Sequence, residues 1–361
     1  MSASLPRGIT RRCWIAGTAL SVSAADAVPR LPRRVRVGLV GLAGHVNEIL
    51  GPLPRLPDVD LVAVSDPDPA ALQRFRQRET GGGATQYADY RRMLDNEQLD
   101  MVGVCNPNGE RAEAILACVE RGLHVVAEKP LALRRDDLRR VREAVVRRQV
   151  RLTTLLPMRF SSPYLAIKEI VDSGEIGEVA QMAAQKSYVA GNRPAWMRNR
   201  ASYGGTIPWI GIHMIDLMHW VSGRDFSSVY SMTARFDDPG IGEMENVTAS
   251  VFRLDNGGAA VLRMDYLRPP TAGSHGDDRL RVAGTRGVAE YQEATGVTVA
   301  SADSKPRRLE RLPAGRSLFV EFLDSVYNGA AYSMPFDEIC RINEVTLAAQ
   351  ESADRNQPVQ C

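Results

Sequence analysis

Short apolar runs alternate with helix-spaced stretches through the first half of the chain. Val35 to Val40 reads VRVGLV and predicts a buried strand. Gly41-Leu42-Ala43-Gly44 follows as a turn, and a short helix-like stretch begins near His45, curtailed by Pro52, Pro54 and Pro57. Leu61 to Ser65 predicts the next strand and ends in Asp66. Tyr90 to Leu94 reads as helix, and Met101 to Cys105 as a strand ending in Asn106-Pro107-Asn108. Glu110 to Arg121 is an amphipathic helix stopped by Gly122. Leu123 to Ala127 is a strand leading into Glu128-Lys129-Pro130, and Asp136 to Arg148 is helical with Leu138, Val141 and Val145 at core spacing. Repeated βα units predict a doubly wound parallel sheet of Rossmann type.

The pattern changes after Leu152 to Leu156. A helix over Tyr164 to Val171 ends at Ser173-Gly174. Strand-like runs follow at Ser227 to Arg235, Val247 to Leu254 and Ala259 to Tyr266, the last two joined by the hairpin turn Asp255-Asn256-Gly257-Gly258. Arg279 to Ala283 and Val288 to Tyr291 flank Gly284-Thr285-Arg286-Gly287, and Leu318 to Tyr327 and Glu338 to Ala353 are helical by period. These elements predict a C-terminal α+β domain on an open, largely antiparallel sheet. The expected organisation is a nucleotide-binding domain over 34–152 and a second domain over 153–361.

Residues 1–27 read differently. Thr10-Arg11-Arg12-Cys13-Trp14-Ile15, a mildly apolar stretch to Ala24 and Ala25-Asp26-Ala27 resemble a twin-arginine export signal with its cleavage site. The expected location is the periplasm or beyond, with the cytoplasm as the alternative. The apolar stretch is too short to span a bilayer.

Composition narrows the class. The 361 residues are 44% hydrophobic and 24% charged, as in a globular enzyme rather than a disordered chain. A net charge of +2 gives no footprint for nucleic acid. The arginines of Asp136 to Arg148 carry no interleaved aromatics and read as a solvated helix face. The 5 cysteines form no C-x-x-C pair; Cys105 and Cys118 read as core thiols and terminal Cys361 as exposed.

Strand, glycine turn and helix form the setting of a dinucleotide site, although Ala43 and Val46 stand at the second and third glycine positions. A carboxylate at Asp66 accepts from the ribose hydroxyls of NAD and repels the 2′-phosphate of NADP. Lys129 lies at a strand exit, where ligands of open parallel sheets bind.

In order and spacing, these motifs resemble the Gfo/Idh/MocA oxidoreductases. The carriers are the VGLVGLAG turn, Asp66, Asn106-Pro107-Asn108, Glu128-Lys129-Pro130, Gly174-Glu175-Ile176-Gly177-Glu178-Val179 and Gly211-Ile212-His213-Met214-Ile215-Asp216. The resemblance implies an NAD(P)-dependent enzyme, NAD before NADP, acting by hydride transfer on a secondary alcohol of a sugar, cyclitol or related compound. It implies Lys129 and His213 as catalytic residues and a Lys129-Pro130 bond that is often cis. Expected cofactor contacts are Gly41, Ala43, Gly44, His45, Asp66, Asn106, Pro107, Asn108, Glu128 and Lys129. Expected substrate contacts are Arg159, Trp209 and Asp216. Trp196, Arg198 and Tyr203 offer a substrate loop. The resemblance assigns substrate binding and oligomerisation to the domain over 153–361. A homo-oligomer, dimer or tetramer, is expected through the C-terminal sheet, with no metal, no membrane span and no nucleic-acid partner.

Two departures stand out. Trp209 occupies the place of the family aspartate four residues before the histidine. Asn106 and Arg111 replace the threonine and histidine of the common T-P-N-x-x-H segment. Two alternatives therefore stand beside the dehydrogenase. One is a glycoside hydrolase or lyase that uses retained NAD in a transient oxidation. The other is a non-catalytic NAD-binding protein.

Overall fold

The VRVGLV run becomes β1 (Val35–Val40), buried apart from Arg36. A strand covered by helices on both faces has no polar side to alternate with, which explains the continuous apolar run. The computed structural model describes residues 28–361 except 79, 81 and 237–239. The export-signal reading of 1–27 lies outside them.

The first domain continues through α1 (Asn47–Leu50), β2 (Val59–Ser65), α2 (Pro69–Arg76), β3 (Thr85–Tyr87), α3 (Tyr90–Asn96), β4 (Met101–Val104), α4 (Asn108–Val119), β5 (His124–Ala127), α5 (Arg135–Arg148) and β6 (Leu152–Thr154). The six strands are parallel, in the order β3-β2-β1-β4-β5-β6. The order reverses between β1 and β4, and a ligand crevice opens outside the carboxyl ends at such a switch point. β6 pairs with β5 and belongs to this sheet, so the expected boundary at 152/153 falls inside a strand and moves beyond it.

Arginines on α5 pair with acids of neighbouring turns and helices: Arg139 with Asp136, Arg140 with Glu113, and Arg147 and Arg148 with Glu120. Leu138, Val141, Ala144 and Val145 face the core from the same helix.

The second domain holds α6 (Ser162–Asp172), β7 (Val179–Tyr188), α7 (Arg200–Tyr203), α8 (Ile212–Ser222), β8 (Phe226–Ala234), β9 (Val247–Leu254) and β10 (Ala259–Asp265). β11 (Gly276–Gly284), β12 (Gly287–Gln292), β13 (Gly296–Ser301), β14 (Ser304–Arg308), α9 (Leu318–Tyr327), α10 (Phe336–Arg355) and β15 (Val359–Gln360) complete it. The nine-stranded sheet runs β14-β13-β12-β11-β7-β10-β9-β8-β15. Every pairing is antiparallel except β7 with β10, because β7 is inserted between that strand and β11.

β9 alternates buried and exposed positions along its length, the mark of a sheet covered on one face. Helices α6, α8 and α10 pack on the covered side. The last helix ties the halves together: Asn343 accepts from the Leu131 N–H at 2.9 Å, and Arg142 meets Asp337 at 2.9 Å. Cys361 is half-buried rather than exposed, because its N–H donates to the Ser227 carbonyl beside β15. No helix among the described residues is long and apolar enough to cross a membrane.

Candidate active site

A cleft of about 960 Å³ opens at the switch point, lined from both domains. Gly41 begins its floor at φ +80°, and a Cβ there would lie 2.6 Å from the Asn106 backbone. Gly44 has φ +62°, and its Cβ would lie 2.7 Å from the Glu128 carboxyl carbon. Only glycine serves at these two places.

A dinucleotide turn often turns its N–H groups toward a pyrophosphate, but here most of them are already engaged. The Leu42 N–H donates to Asp66 at 3.0 Å, Ala43 to the Cys105 carbonyl at 3.1 Å, and His45 to Glu128. A four-residue α1 adds little dipole. Positioning of a nucleotide therefore falls more to side chains.

Asp66 ends β2 and lines the cleft, accepting from the N–H groups of Leu42 and Asp68. Burial raises its carboxyl above the ordinary value, and those two donors oppose the rise. Each carboxylate oxygen keeps a lone pair for a ribose hydroxyl. Asn106 lines the same floor at 6% exposure, and neither its Nδ2 nor its Oδ1 has a partner. A buried amide with both ends unpaired in a cleft calls for a bound polar group. Asp66, Pro107 and Asn106 thus fit a nucleotide. Asn108 does not line the cleft: its Nδ2 donates to the Tyr203 carbonyl at 2.7 Å, tying α4 to α7.

Lys129 follows β5, and its bond to Pro130 is cis. The side chain is 1% exposed. Its Nζ lies 3.4 Å from the Trp209 ring centroid, donates to the Trp209 carbonyl and stands 4.0 Å from Glu128. Burial pushes the ammonium down to about 7, against the pull of Glu128. Arg111, Lys186 and Arg193 add to the downward push.

Glu128 lies behind this group rather than on the cleft surface. Burial opposes its charge, but His45, Lys129 and Arg111 outweigh burial and hold the carboxyl at about 2. It binds the His45 ring at 2.9 Å and the Lys129 N–H at 2.9 Å, so it positions cleft residues instead of meeting a cofactor directly. Arg111 explains one sequence departure. Its Nη1 donates to the carbonyls of Lys129 and Pro130, both at 2.9 Å, and its Nη2 to that of Asn106 at 2.5 Å. One buried guanidinium fastens the two loops that carry the site; burial lowers it to about 10.

His213 enters from the second domain. A π-helical segment, Ile207–Gly211, leads into α8 and sets the register there. His213 is 4% exposed, its ring lies 5.0 Å from that of His45, and its Nδ1 has no partner. Burial drives its pKa well below the ordinary histidine value, and Lys129, Lys186 and His45 push the same way. The sequence favours His213 as the residue suited to accept a proton near neutrality. The structure reverses the order: Lys129 is the group brought to that range.

Arg159 and Asp216, expected as substrate contacts, do not line the cleft. Arg159 Nε lies 2.8 Å from both Asp216 oxygens, Glu338 joins at 2.9 Å, and Arg159 and Asp216 are each 1% exposed. Burial opposes the Arg159 charge, and the two carboxylates more than restore it. Trp209 does line the cleft, edge-on to Trp196 at 5.4 Å. Of the proposed substrate loop, Trp196 reaches the cleft, while Arg198 and Tyr203 do not. Sequence reasoning missed Tyr188, Arg193 and His275, which line it from the end of β7 and from the loops beside β7 and β11. No motif marks them; the clue was Gly191-Asn192-Arg193-Pro194, a turn sequence between two elements. Among the described residues, no group of three or more His, Cys, Asp or Glu could hold a metal ion.

Residues 35–155 match the model of an oxidoreductase family with an NAD-binding Rossmann fold, and residues 164–290 match the Gfo/Idh/MocA C-terminal domain. A myo-inositol 2-dehydrogenase of Thermotoga maritima is 27% identical over 77% of this chain and 81% of its own length. The uncharacterised oxidoreductase YrbE of Bacillus subtilis is 26% identical over 76% and 79%. Among solved structures, one assigned as an oxidoreductase from Thermotoga maritima superposes with a TM-score of 0.83 at 30% identity, covering 91% of this chain and 100% of that one. A levoglucosan dehydrogenase in complex with NADH shares the fold, with a TM-score of 0.78 at 19% identity over 91% and 99%. With both domain models matched in order and a relative covered from end to end, the chain belongs to the Gfo/Idh/MocA family of NAD-binding oxidoreductases.

Proposed function

We propose that the protein oxidises a secondary alcohol of a sugar, cyclitol or related polyol with NAD, or runs the reverse reduction. The observation that carries this reading is the meeting in one cleft of Lys129, brought to about 7, with His213 and the Asp66 turn. Relatives named as inositol and levoglucosan dehydrogenases support the substrate class.

Bound NAD would supply the hydride acceptor, with Asp66, Asn106 and Pro107 holding it. Lys129 takes the hydroxyl proton at Nζ as the carbon is oxidised, since a base tuned near the working pH is partly free to accept. His213 is neutral there, and its unpartnered Nδ1 meets a substrate hydroxyl. Trp209 takes no proton. Its ring covers Lys129, excludes water and offers an apolar face to ring C–H groups.

Substituting Lys129→Met should cut kcat by about 10²- to 10⁴-fold, the usual worth of a general base. NAD binding, read by fluorescence titration, should persist. An active Lys129→Met enzyme would refute the assignment. Stoichiometric release of NADH with an oxidised product separates this reaction from a glycoside cleavage that recycles retained NAD.

Two wider readings belong here. The outer sheet face carries Met232, Val251 and Val261, exposed at 54%, 51% and 44%, and supports a homo-oligomer through that face. The Arg11-Arg12 segment supports export. Cell fractionation of wild type and an Arg11→Lys, Arg12→Lys double variant tests it, and equal distribution of the two would argue against it.

A further inference from the structure

Among the described residues, four carboxylates line the cleft, Asp66, Asp68, Asp89 and Glu110, and all come from the first domain. Among the described residues, the wall from the second domain contributes no carboxylate and does contribute Arg193. Two other charges near that wall are already balanced. Lys186, 1% exposed, is held by Asp278 at 2.8 Å, and Glu128 is surrounded by His45, Lys129 and Arg111.

Arg193 has no acidic partner among the described residues. Its Nε donates to the Ala190 carbonyl at 2.6 Å and its Nη2 to that of Val189 at 3.1 Å. Its guanidinium carbon lies 4.9 Å from the Tyr266 ring centroid. These contacts fix the plane of the group without cancelling its charge. They also leave Nη1, and the second hydrogen of Nη2, as an unused fork. A paired Nη1/Nη2 edge matches the two oxygens of a carboxylate. Trp209 and Trp196 complete this part of the wall with apolar rings.

We propose that the substrate is a polyhydroxy carboxylate, a sugar acid, whose carboxylate pairs with Arg193 while one of its hydroxyls meets Lys129 and His213. The inference deepens the dehydrogenase reading, and its hydroxyl half rests on that reading. An anion is favoured because the described wall holds a fixed cation, uncharged faces and no competing carboxylate. A carboxylate can meet the free Arg193 edge with two charge-assisted hydrogen bonds, which a neutral polyol cannot.

The test is equilibrium binding to the NAD-loaded protein, by calorimetry. Ligands are matched pairs: glucuronate, galacturonate and mannuronate against glucose, galactose and mannose, with gluconate as an open-chain acid. At least one acid should bind about 10- to 100-fold more tightly than its neutral partner, the worth of a hydrogen-bonded charge pair. Arg193→Gln should abolish that advantage while NAD still binds, and Arg193→Lys should restore part of it. If no acid is preferred, or if the preference survives in Arg193→Gln, the proposal is overturned. Because binding is read without turnover, an acid that binds tightly through Arg193 but is not oxidised supports the carboxylate half of this inference and counts against its hydroxyl half and the dehydrogenase reading.

Discussion

Asp66 and Trp209 face the same cleft, yet they are held in opposite ways. Asp66 is fixed by N–H groups of its own domain, two to twenty-four residues away in sequence. Trp209 reaches across a domain boundary and meets Lys129 through both its carbonyl and its ring. The cofactor wall is thus assembled from strand ends and turns that largely satisfy each other locally, with the Asn106 amide as the exception. The substrate wall is assembled from loops and a helix start of the second domain, and it keeps unpaired groups, His213 Nδ1 and the Arg193 edge. Local satisfaction suits a ligand that must bind in one defined pose. Unpaired polar groups suit a ligand that supplies the missing partners.

The substrate wall fails most severely if the packing inside the second domain loosens. Arg159→Ala leaves the Asp216 carboxylate buried without its bidentate partner. Losing one member of a buried pair costs roughly 3–5 kcal/mol. Thermal unfolding should show a large drop in midpoint, and an unchanged midpoint would mean that the pair holds nothing together.

Asn106→Ala probes the cofactor wall alone. Removing an amide that awaits a polar partner should raise KM for NAD about 10-fold, one hydrogen bond's worth, with kcat little changed. A pure kcat effect would move Asn106 from cofactor binding to chemistry. Smaller still is the effect of Glu128→Gln on the link between the walls. Glu128 raises the Lys129 pKa, so its neutralisation should carry the rise of kcat/KM to lower pH. A shift to higher pH would reverse the electrostatic sign assigned here.

The two walls were also unequally legible in the sequence. β1, β2, β4 and β5 are buried on both faces, so uninterrupted apolar runs betray them, and Asp66 and Lys129 stand at their exits. β7 escaped notice because its buried positions include Gln185 and Lys186, whose polarity hides the strand. Arg159 and Asp216 were misread as substrate ligands because charge in a pocket-forming region is ambiguous until pairing is seen. Arg111 looked like a lost histidine, whereas its guanidinium bonds three carbonyls that a single imidazole could not reach. Arg193 and His275 were invisible for a further reason. Loop residues far apart in sequence share a cleft only once the second sheet is folded.

The assignment of Lys129, not His213, as the base titrating near neutrality rests on burial and neighbouring charges. It is tested most directly by the pH profile of kcat/KM for wild type and His213→Asn. A general base acts unprotonated, so activity should fall below about 7 and level off above it. His213→Asn should lower the plateau yet keep the break near neutral pH, because a neutral histidine adds no charge beside Lys129. A break that vanishes in His213→Asn would make the histidine the titrating base and contradict the account.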